Sequence, residues 1–233
     1  MIATAPLTEP AYKAPALGLL MQEGGAFAYM RIAATFGGAV PLSARGSGHK
    51  VIVFPGFMAS DQSTGRLRRS LNAAGFDSHG WGLGRNRGVT ADMLARVHDK
   101  IGSLAGVGPI SLIGWSLGGL VAREYAKLYP ENVRKVVTLG SPFSGDPRAN
   151  NAWRAYEAIA GHSVDNPPIQ TVLHEKPPVP TIAFWSPGDG IVAPEAACGL
   201  PGQSDHQIRL DCRHMDFVSK PAAIQAIAAA LAE

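Results

Sequence analysis

Short, nearly all-apolar runs recur along this chain, separated by amphipathic stretches and punctuated by turn residues. Lys50-Val51-Ile52-Val53-Phe54 is one such run, closed by Pro55-Gly56-Phe57-Met58, and it predicts a buried strand. Asp61 to Ala74 follows with Leu67 and Leu71 at i and i+4, the spacing of one helix face, and stops before Gly75. Phe76 to Leu83 reads as the next strand, opening into the loop Gly84-Arg85-Asn86-Arg87-Gly88. Thr90 is placed to cap a helix running to about Ala105, with Met93, Leu94, Val97, Ile101 and Leu104 as its apolar face. Gly108 to Ile113 and Arg134 to Leu139 are further strand runs, with a helical pattern from Leu120 to Tyr129 between them.

Regularity fades from Pro142 to Pro178, apart from a short helix predicted across Ala152 to Ala160. Val179 to Trp185 and Gln207 to Leu210 are again strands, and Ala222 to Leu231 closes the chain as an alanine-rich helix. Apolar strands alternating with helices predict an α/β fold, with a mainly parallel sheet flanked by helices. No internal repeat or second boundary is visible, so residues 1–233 read as a single domain. Leu17 to Val40 is apolar but broken by Glu23, Arg31 and glycines, which falls short of a membrane span. It predicts an N-terminal helical segment within 15–42 that leans on the domain, with peripheral lipid contact as the alternative.

Composition narrows this picture only slightly. Hydrophobic residues make up 46% of the 233 and charged residues 17%, with a net charge of +3. That is enough apolar side chain for a sizeable core, and too mild a charge to argue for nucleic acid. Met1 to Pro15 lacks the basic start and apolar run of a signal peptide, which makes the cytoplasm the expected compartment. The two cysteines, Cys198 and Cys212, do not make a metal site. They fall beside two turns that matter below, and a disulfide between them is expected to tie those turns together, with two buried thiols as the competing state.

The chemistry centres on Gly114-Trp115-Ser116-Leu117-Gly118. This G-x-S-x-G string lies between a predicted strand and a predicted helix, the context that gives the motif its meaning. Strand and helix pass too closely there for a Cβ, the serine is held in a strained conformation, and the helix aims its N-terminal amides at the same spot. Such a serine needs a base, and the base needs an orienting carboxylate. Active groups of a parallel sheet gather beyond the carboxyl ends of its strands. By that rule His214 is the base among the seven histidines, since it follows a strand and precedes the last helix. Asp189, in the turn Ser186-Pro187-Gly188-Asp189-Gly190 after the strand ending at Trp185, is the acid, ahead of Asp205, Asp211 and Asp216.

The order serine, aspartate, histidine marks one hydrolase lineage. With Val-Phe-Pro-Gly-Phe at 53–57, the Gly-Trp-Ser-Leu-Gly turn, Leu-Gly-Ser-Pro-Phe at 139–143, Pro-Gly-Asp-Gly-Ile-Val at 187–192 and Cys-Arg-His-Met at 212–215, the chain resembles the α/β-hydrolase superfamily, and most of all compact bacterial serine esterases and lipases. Pro55 departs from the histidine that many relatives carry before this glycine. The resemblance implies an oxyanion hole made by the Phe57 and Leu117 N–H groups, a Ser116, His214 and Asp189 triad, and no metal or organic cofactor. It also implies a cap or lid at 143–178. Met58, Trp115, Trp153 and Tyr156 are then the expected apolar contacts of a small acyl ester of moderate chain length, and Ile159 shares the stripe with Trp153 and Tyr156. Arg85-Asn86-Arg87 reads as a solvated loop, with contact to an anionic head group as the second choice. An acyltransferase or thioesterase shares every motif, and a non-catalytic binding protein of this fold is the remaining alternative.

Overall fold

The computed structural model describes residues 12–104 and 108–232. Strands β1 (Lys50–Phe54), β2 (Asp77–Gly80), β3 (Ile110–Trp115), β4 (Val133–Leu139), β5 (Thr181–Trp185) and β6 (His206–Arg209) form one sheet in the order β2-β1-β3-β4-β5-β6. Every neighbouring pair is parallel. The helices are α1 (Leu17–Phe36), α2 (Gly65–Ala73), α3 (Met93–Leu104), α4 (Leu117–Leu128), α5 (Trp153–Ala160), α6 (Pro194–Cys198) and α7 (Pro221–Ala232). Successive strand residues point to opposite faces, so the β1 run feeds two cores. Val51 and Val53 pack with Met30, Leu67, Leu71 and Ile224 on one side, and Ile52 and Phe54 with Val97, Ile101, Val121 and Tyr125 on the other.

The departures from the expected elements have local causes. The helix expected from Asp61 begins as a 3-10 turn at Asp61–Thr64, and α2 proper starts at Gly65. The Asp61 carboxylate accepts the N–H groups of Trp81 and Gly82 at 3.0 Å each, which also ends β2 at Gly80 and shortens the strand expected to reach Leu83. Thr90 turns its hydroxyl to the Asp92 carboxylate, and α3 begins at Met93. The expected end of that helix at Ala105 lies outside the described residues. The small helix α6 and the 3-10 turns Pro130–Asn132 and His214–Val218 carry too few residues to show a period.

Helix α1 lies within the expected 15–42 segment. Glu23, Ala26, Met30, Ala33 and Ala34 form its buried stripe, while Leu17, Met21, Ile32 and Phe36 are exposed. The Arg69 guanidinium closes its far end by donating to the carbonyls of Ala33, Ala34 and Gly37. Among the described residues, no helix is long and apolar enough to cross a membrane. The 143–178 segment contains α5 and is moored to α4 by buried Arg123. That guanidinium lies 4.1 Å from the Phe143 ring centroid and donates to the carbonyls of Glu175 and Gln203.

Cys198 and Cys212 are free thiols, so the expected disulfide is not formed. The tie between the two turns exists by another route. The Ser186 hydroxyl donates to the Cys212 carbonyl and accepts the Cys212 N–H, and it also accepts the Gly188 N–H. One hydroxyl therefore joins the Asp189 turn to the segment leading into His214, where a covalent bond was expected. Burial pushes the Cys212 thiol up to about 12. Unreduced, denatured protein is expected to show two reactive thiols per chain in a thiol titration, whereas in native protein at neutral pH Cys212 resists iodoacetamide.

Helix α4 packs against β3 and the end of β1 with no room for a side chain at two positions. A Cβ on Gly114 would lie 2.2 Å from the Gly119 Cα, and one on Gly118 would lie 2.5 Å from the Phe54 carbonyl oxygen. Both obstacles are backbone and cannot rotate away. Gly114→Ala is therefore expected to destabilise the protein by about 3 kcal/mol or more, read from urea unfolding.

Candidate active site

Ser116 stands between β3 and α4 with φ 54 and ψ −124, a conformation that a non-glycine residue holds only when its surroundings enforce it. Its N–H donates to the Leu139 carbonyl at 2.8 Å, which pins the turn to the end of β4. Helix α4 starts at the next residue, with no acidic side chain in its first turn to oppose the positive end of its dipole. Ser116 borders a cavity of about 130 Å³.

The loop after β1 passes directly over the serine. A Cβ added to Gly56 would lie 3.2 Å from the Ser116 Cβ and 3.3 Å from the Trp115 ring, so a larger residue there would have to push its neighbours aside by a few tenths of an ångström. Met58 follows with φ 57, and its N–H donates to the Asn86 carbonyl. Asn86 is buried and clamps the whole turn. Its amide group donates to the Pro55 carbonyl at 2.8 Å, its own N–H donates to the Ala59 carbonyl, and its side-chain oxygen accepts the Gly88 N–H. Arg85 adds a hydrogen bond to the Met58 carbonyl. The Arg85-Asn86-Arg87 loop is thus a brace for the turn that carries Phe57.

Asp189 and His214 meet on the other side of Trp115. The imidazole Nδ1 lies 2.7 Å from the Asp189 Oδ2, with both side chains almost fully buried. A carboxylate only accepts, so Nδ1 carries the proton. The other Asp189 oxygen accepts the N–H groups of Ile191 and Val192 at 2.8 Å each, which fixes the carboxylate in its own turn. Gly140, with φ +55, lets the chain pass behind the pair: a Cβ there would sit 2.9 Å from the Asp189 Oδ2 and 3.1 Å from the His214 Nδ1. Burial works against a charged His214, but the Asp189 carboxylate, through its charge and its hydrogen bond, and then the charge of Glu23, outweigh it. The imidazole is left above its ordinary value.

Trp115 does not take the substrate-contact place expected of it. It is buried, its indole N–H donates to the His214 carbonyl at 3.1 Å, and its ring packs on the imidazole with centroids 5.7 Å apart. Side chains alternate along a strand, so the residue before Ser116 faces the core and the histidine loop. Met58 points to solvent and, among the described residues, neither it nor Trp115 lines the cavity. Trp153 and Tyr156 do line it, together with Phe57, Leu117, Val121 and Val192. Ile159 is exposed. Of the other six histidines, His98 packs on Tyr125 and Tyr129, His49 bonds Ser111, His79 pairs with Asp77, and His162 bonds Tyr156 on the cavity wall. The rival acids are engaged too, Asp205 with Lys176, Asp211 with Arg209 and Asp216 with Lys220.

Two residues of this neighbourhood carry no motif. Asn86 sits between two arginines in a glycine-bounded loop, and nothing local distinguishes it from a solvated residue. Glu23 had a signal: it is the lone acid in a stripe of small apolar positions spaced for one helix face, where a buried charge demands a partner. It reads as an interruption of an apolar run until its partners are seen, and those lie far along the chain.

Ser116, Phe57, Asp189 and His214 thus follow β3, β1, β5 and β6 and gather beyond the carboxyl ends of parallel strands. Solved structures of the same architecture include a monoacylglycerol lipase from Paleococcus ferrophilus, 16% identical with a TM-score of 0.61, covering 81% of this chain and 96% of that one. A metagenomic carboxyl esterase superimposes with a TM-score of 0.59 at 17% identity, covering 84% and 78%. Curated relatives align over shorter stretches. Homoserine O-acetyltransferase of Thermus thermophilus is 37% identical over 76 residues, which is 33% of this chain and 19% of that protein. A pimeloyl acyl-carrier-protein methyl ester esterase of Photobacterium profundum is 38% identical over 80 residues, 33% of this chain and 29% of that protein. The chain thus spans less than a third of the length of these curated relatives. The family model of the alpha/beta hydrolase fold matches residues 39–157, about half of the chain, and the protein, with its parallel sheet order and strained serine turn, belongs to that family.

Proposed function

We propose that the protein hydrolyses carboxylic esters through an acyl-enzyme, with Ser116 as nucleophile, His214 as base and Asp189 as the orienting acid. The observation that carries this is a serine at φ 54, bordering an apolar cavity, one residue from an indole that packs on a buried, carboxylate-paired imidazole. In the first step Ser116 Oγ bonds to the ester carbonyl carbon while His214 Nε2 takes the hydroxyl proton. The developing oxyanion is held by the Phe57 and Leu117 N–H groups. Each such donor contributes roughly 3 kcal/mol to the transition state. The alcohol then leaves with the proton from His214, and water repeats the attack to release the acid and restore the serine. The buried Asp189 holds the Nδ1–H tautomer, so that Nε2 is the nitrogen free to take a proton.

The cavity wall of Phe57, Leu117, Val121, Trp153, Tyr156 and Val192 favours an aliphatic acyl group over a sugar or a charged peptide. The match to the acetyltransferase of Thermus thermophilus supports a second reading, in which an alcohol or thiol rather than water accepts the acyl group. A short-chain p-nitrophenyl ester, assayed with and without added alcohol, separates the two by whether free acid or a new ester accumulates.

Ser116→Ala is expected to lower kcat for p-nitrophenyl butyrate roughly 10⁶-fold with an unchanged circular dichroism spectrum. A fluorophosphonate should label wild type at one site per chain and leave this variant unlabelled. Retained turnover or labelling would move the nucleophile elsewhere. The pH dependence follows from His214. Only the neutral imidazole accepts the serine proton, so kcat/KM falls as pH drops through its pKa. That pKa lies above the ordinary 6.5, and the acid limb of the profile is expected above pH 6.5. A limb at or below that value would show that Asp189 and Glu23 do not act on the imidazole as described.

A further inference from the structure

Glu23 lies on α1, outside every motif of the site and before the stretch that the family model matches. It is 4% exposed, and its carboxylate is satisfied entirely by backbone. Oε1 accepts the Gly190 N–H at 2.9 Å and the His214 N–H at 2.8 Å, and Oε2 accepts the Met215 N–H at 3.2 Å. Among the described residues it makes no ion pair. Gly190 adjoins Asp189 in the turn after β5, whereas His214 and Met215 lie in the loop after β6. A single oxygen therefore holds the residue next to the acid and the backbone of the base.

The contact is tight on both sides. A Cβ on Gly190 would lie 2.4 Å from the Leu19 carbonyl oxygen, so the first turn of α1 is seated against the acid turn with no room for a side chain. On the other side α1 packs along the 3-10 turn His214–Val218. A buried carboxylate is unfavourable unless its lone pairs are filled, and here filling them requires the acid turn and the base loop to keep one separation. Resting on the assignment of Ser116, His214 and Asp189 above, we propose that Glu23 is a positioning residue for the reaction: it fixes the Asp189 turn and the His214 loop relative to each other, and with them the aim of the imidazole at Ser116.

Charge gives this role a readout that a purely structural clamp lacks. Among the described residues, the ionisable groups around His214 are Asp189 from the turn after β5, Glu23 from α1, and Arg213, Asp216 and the Cys212 thiol, which burial keeps protonated, within its own loop. Asp216 is engaged with the Arg213 N–H and Lys220, and Arg213 reaches out to Gln22. Replacing Glu23 by glutamine keeps the shape but removes a negative charge that favours protonated His214, and it turns an amide N–H₂ toward an N–H.

The test uses the full chain, with Glu23→Gln, Glu23→Asp and Gly190→Ala. Gly190→Ala leaves the carboxylate intact but forces α1 away from the acid turn, and it serves where Glu23→Gln does not fold. Glu23→Gln is expected to lower kcat for p-nitrophenyl butyrate roughly ten- to a hundredfold, with KM within about twofold of wild type. The acid limb of its pH profile should move to lower pH. Glu23→Asp should retain the wild-type limb and recover part of kcat, and Gly190→Ala should lose kcat with the limb in place. The ¹⁵N titration of His214 follows the same coupling without any substrate. Wild-type kcat in both Glu23→Gln and Gly190→Ala overturns the proposal. So does a Glu23→Gln variant whose His214 titrates as in wild type and whose loss of rate matches its loss of folded protein. If wild type cleaves no ester but His214 still titrates lower in Glu23→Gln, the ester-hydrolase assignment fails and the coupling of Glu23 to His214 stands.

Discussion

The hydrogen bond between Asp189 and His214 is the interaction around which the rest of the molecule is arranged. Two titratable groups, each at most 2% exposed, stay buried with partners drawn from several elements of the fold. The second Asp189 oxygen is filled by the Ile191 and Val192 amides. The His214 carbonyl takes the Trp115 indole N–H, and the His214 amide goes to Glu23. Removing any one of these leaves a buried donor or acceptor without a partner, an expensive state in a low-dielectric interior. The pair is therefore held by four elements at once: the ends of β5, β6 and β3, and the inner face of α1.

The second constraint is steric. The close approach of α4 to β3, to the end of β1 and to Ser141 forces glycine at 114, 118 and 119, with Ser116 at positive φ in the turn between. Strain of that kind persists only where the surroundings are overdetermined. Here the Ser116 N–H is tied to Leu139, both flanking elements are buried, and the β1 loop presses against the serine through Gly56. Rigidity is set at the serine by contact and at the histidine by hydrogen bonding, so the two halves of the site are kept in place by different physics.

What could be read in advance follows that division. The serine turn was legible because everything that makes it is contiguous: an apolar run, two glycines spaced around a serine, and an amphipathic helix. The strand ends that place Asp189 and His214 were legible for the same reason. Partnerships across the chain were not. Glu23 and His214 are joined through backbone amides, which any residue type supplies, so the sequence around 190 and 214 holds no trace of the acid that binds there. Asn86 acts on the carbonyls and amides of Pro55, Met58 and Ala59 and is hidden in the same way. The cysteines misled for a related reason. Both cysteines lie beside the two turns, but Ser186, a residue with no pattern to mark it, ties them with one hydroxyl. The place of Trp115 is hidden in the sequence because its apolar character fits a pocket wall as well as it fits the back of a histidine.

The seating of α5 sets how the cavity discriminates among guests. Its Ala160 lies so close to Gly88 that a Cβ there would come within 2.6 Å, and Tyr156 rests on Phe57 with ring centroids 5.4 Å apart while its hydroxyl meets the Val89 N–H at 3.3 Å. The α5 side of the chamber and the loop that passes over the serine are thus one continuous wall. A guest that swells the chamber pushes on Tyr156, and through it on Phe57, before any helix has to swing. Bulk inside the chamber is therefore translated directly into displacement of the loop over Ser116, and the size of what fits there is coupled to the position of that loop.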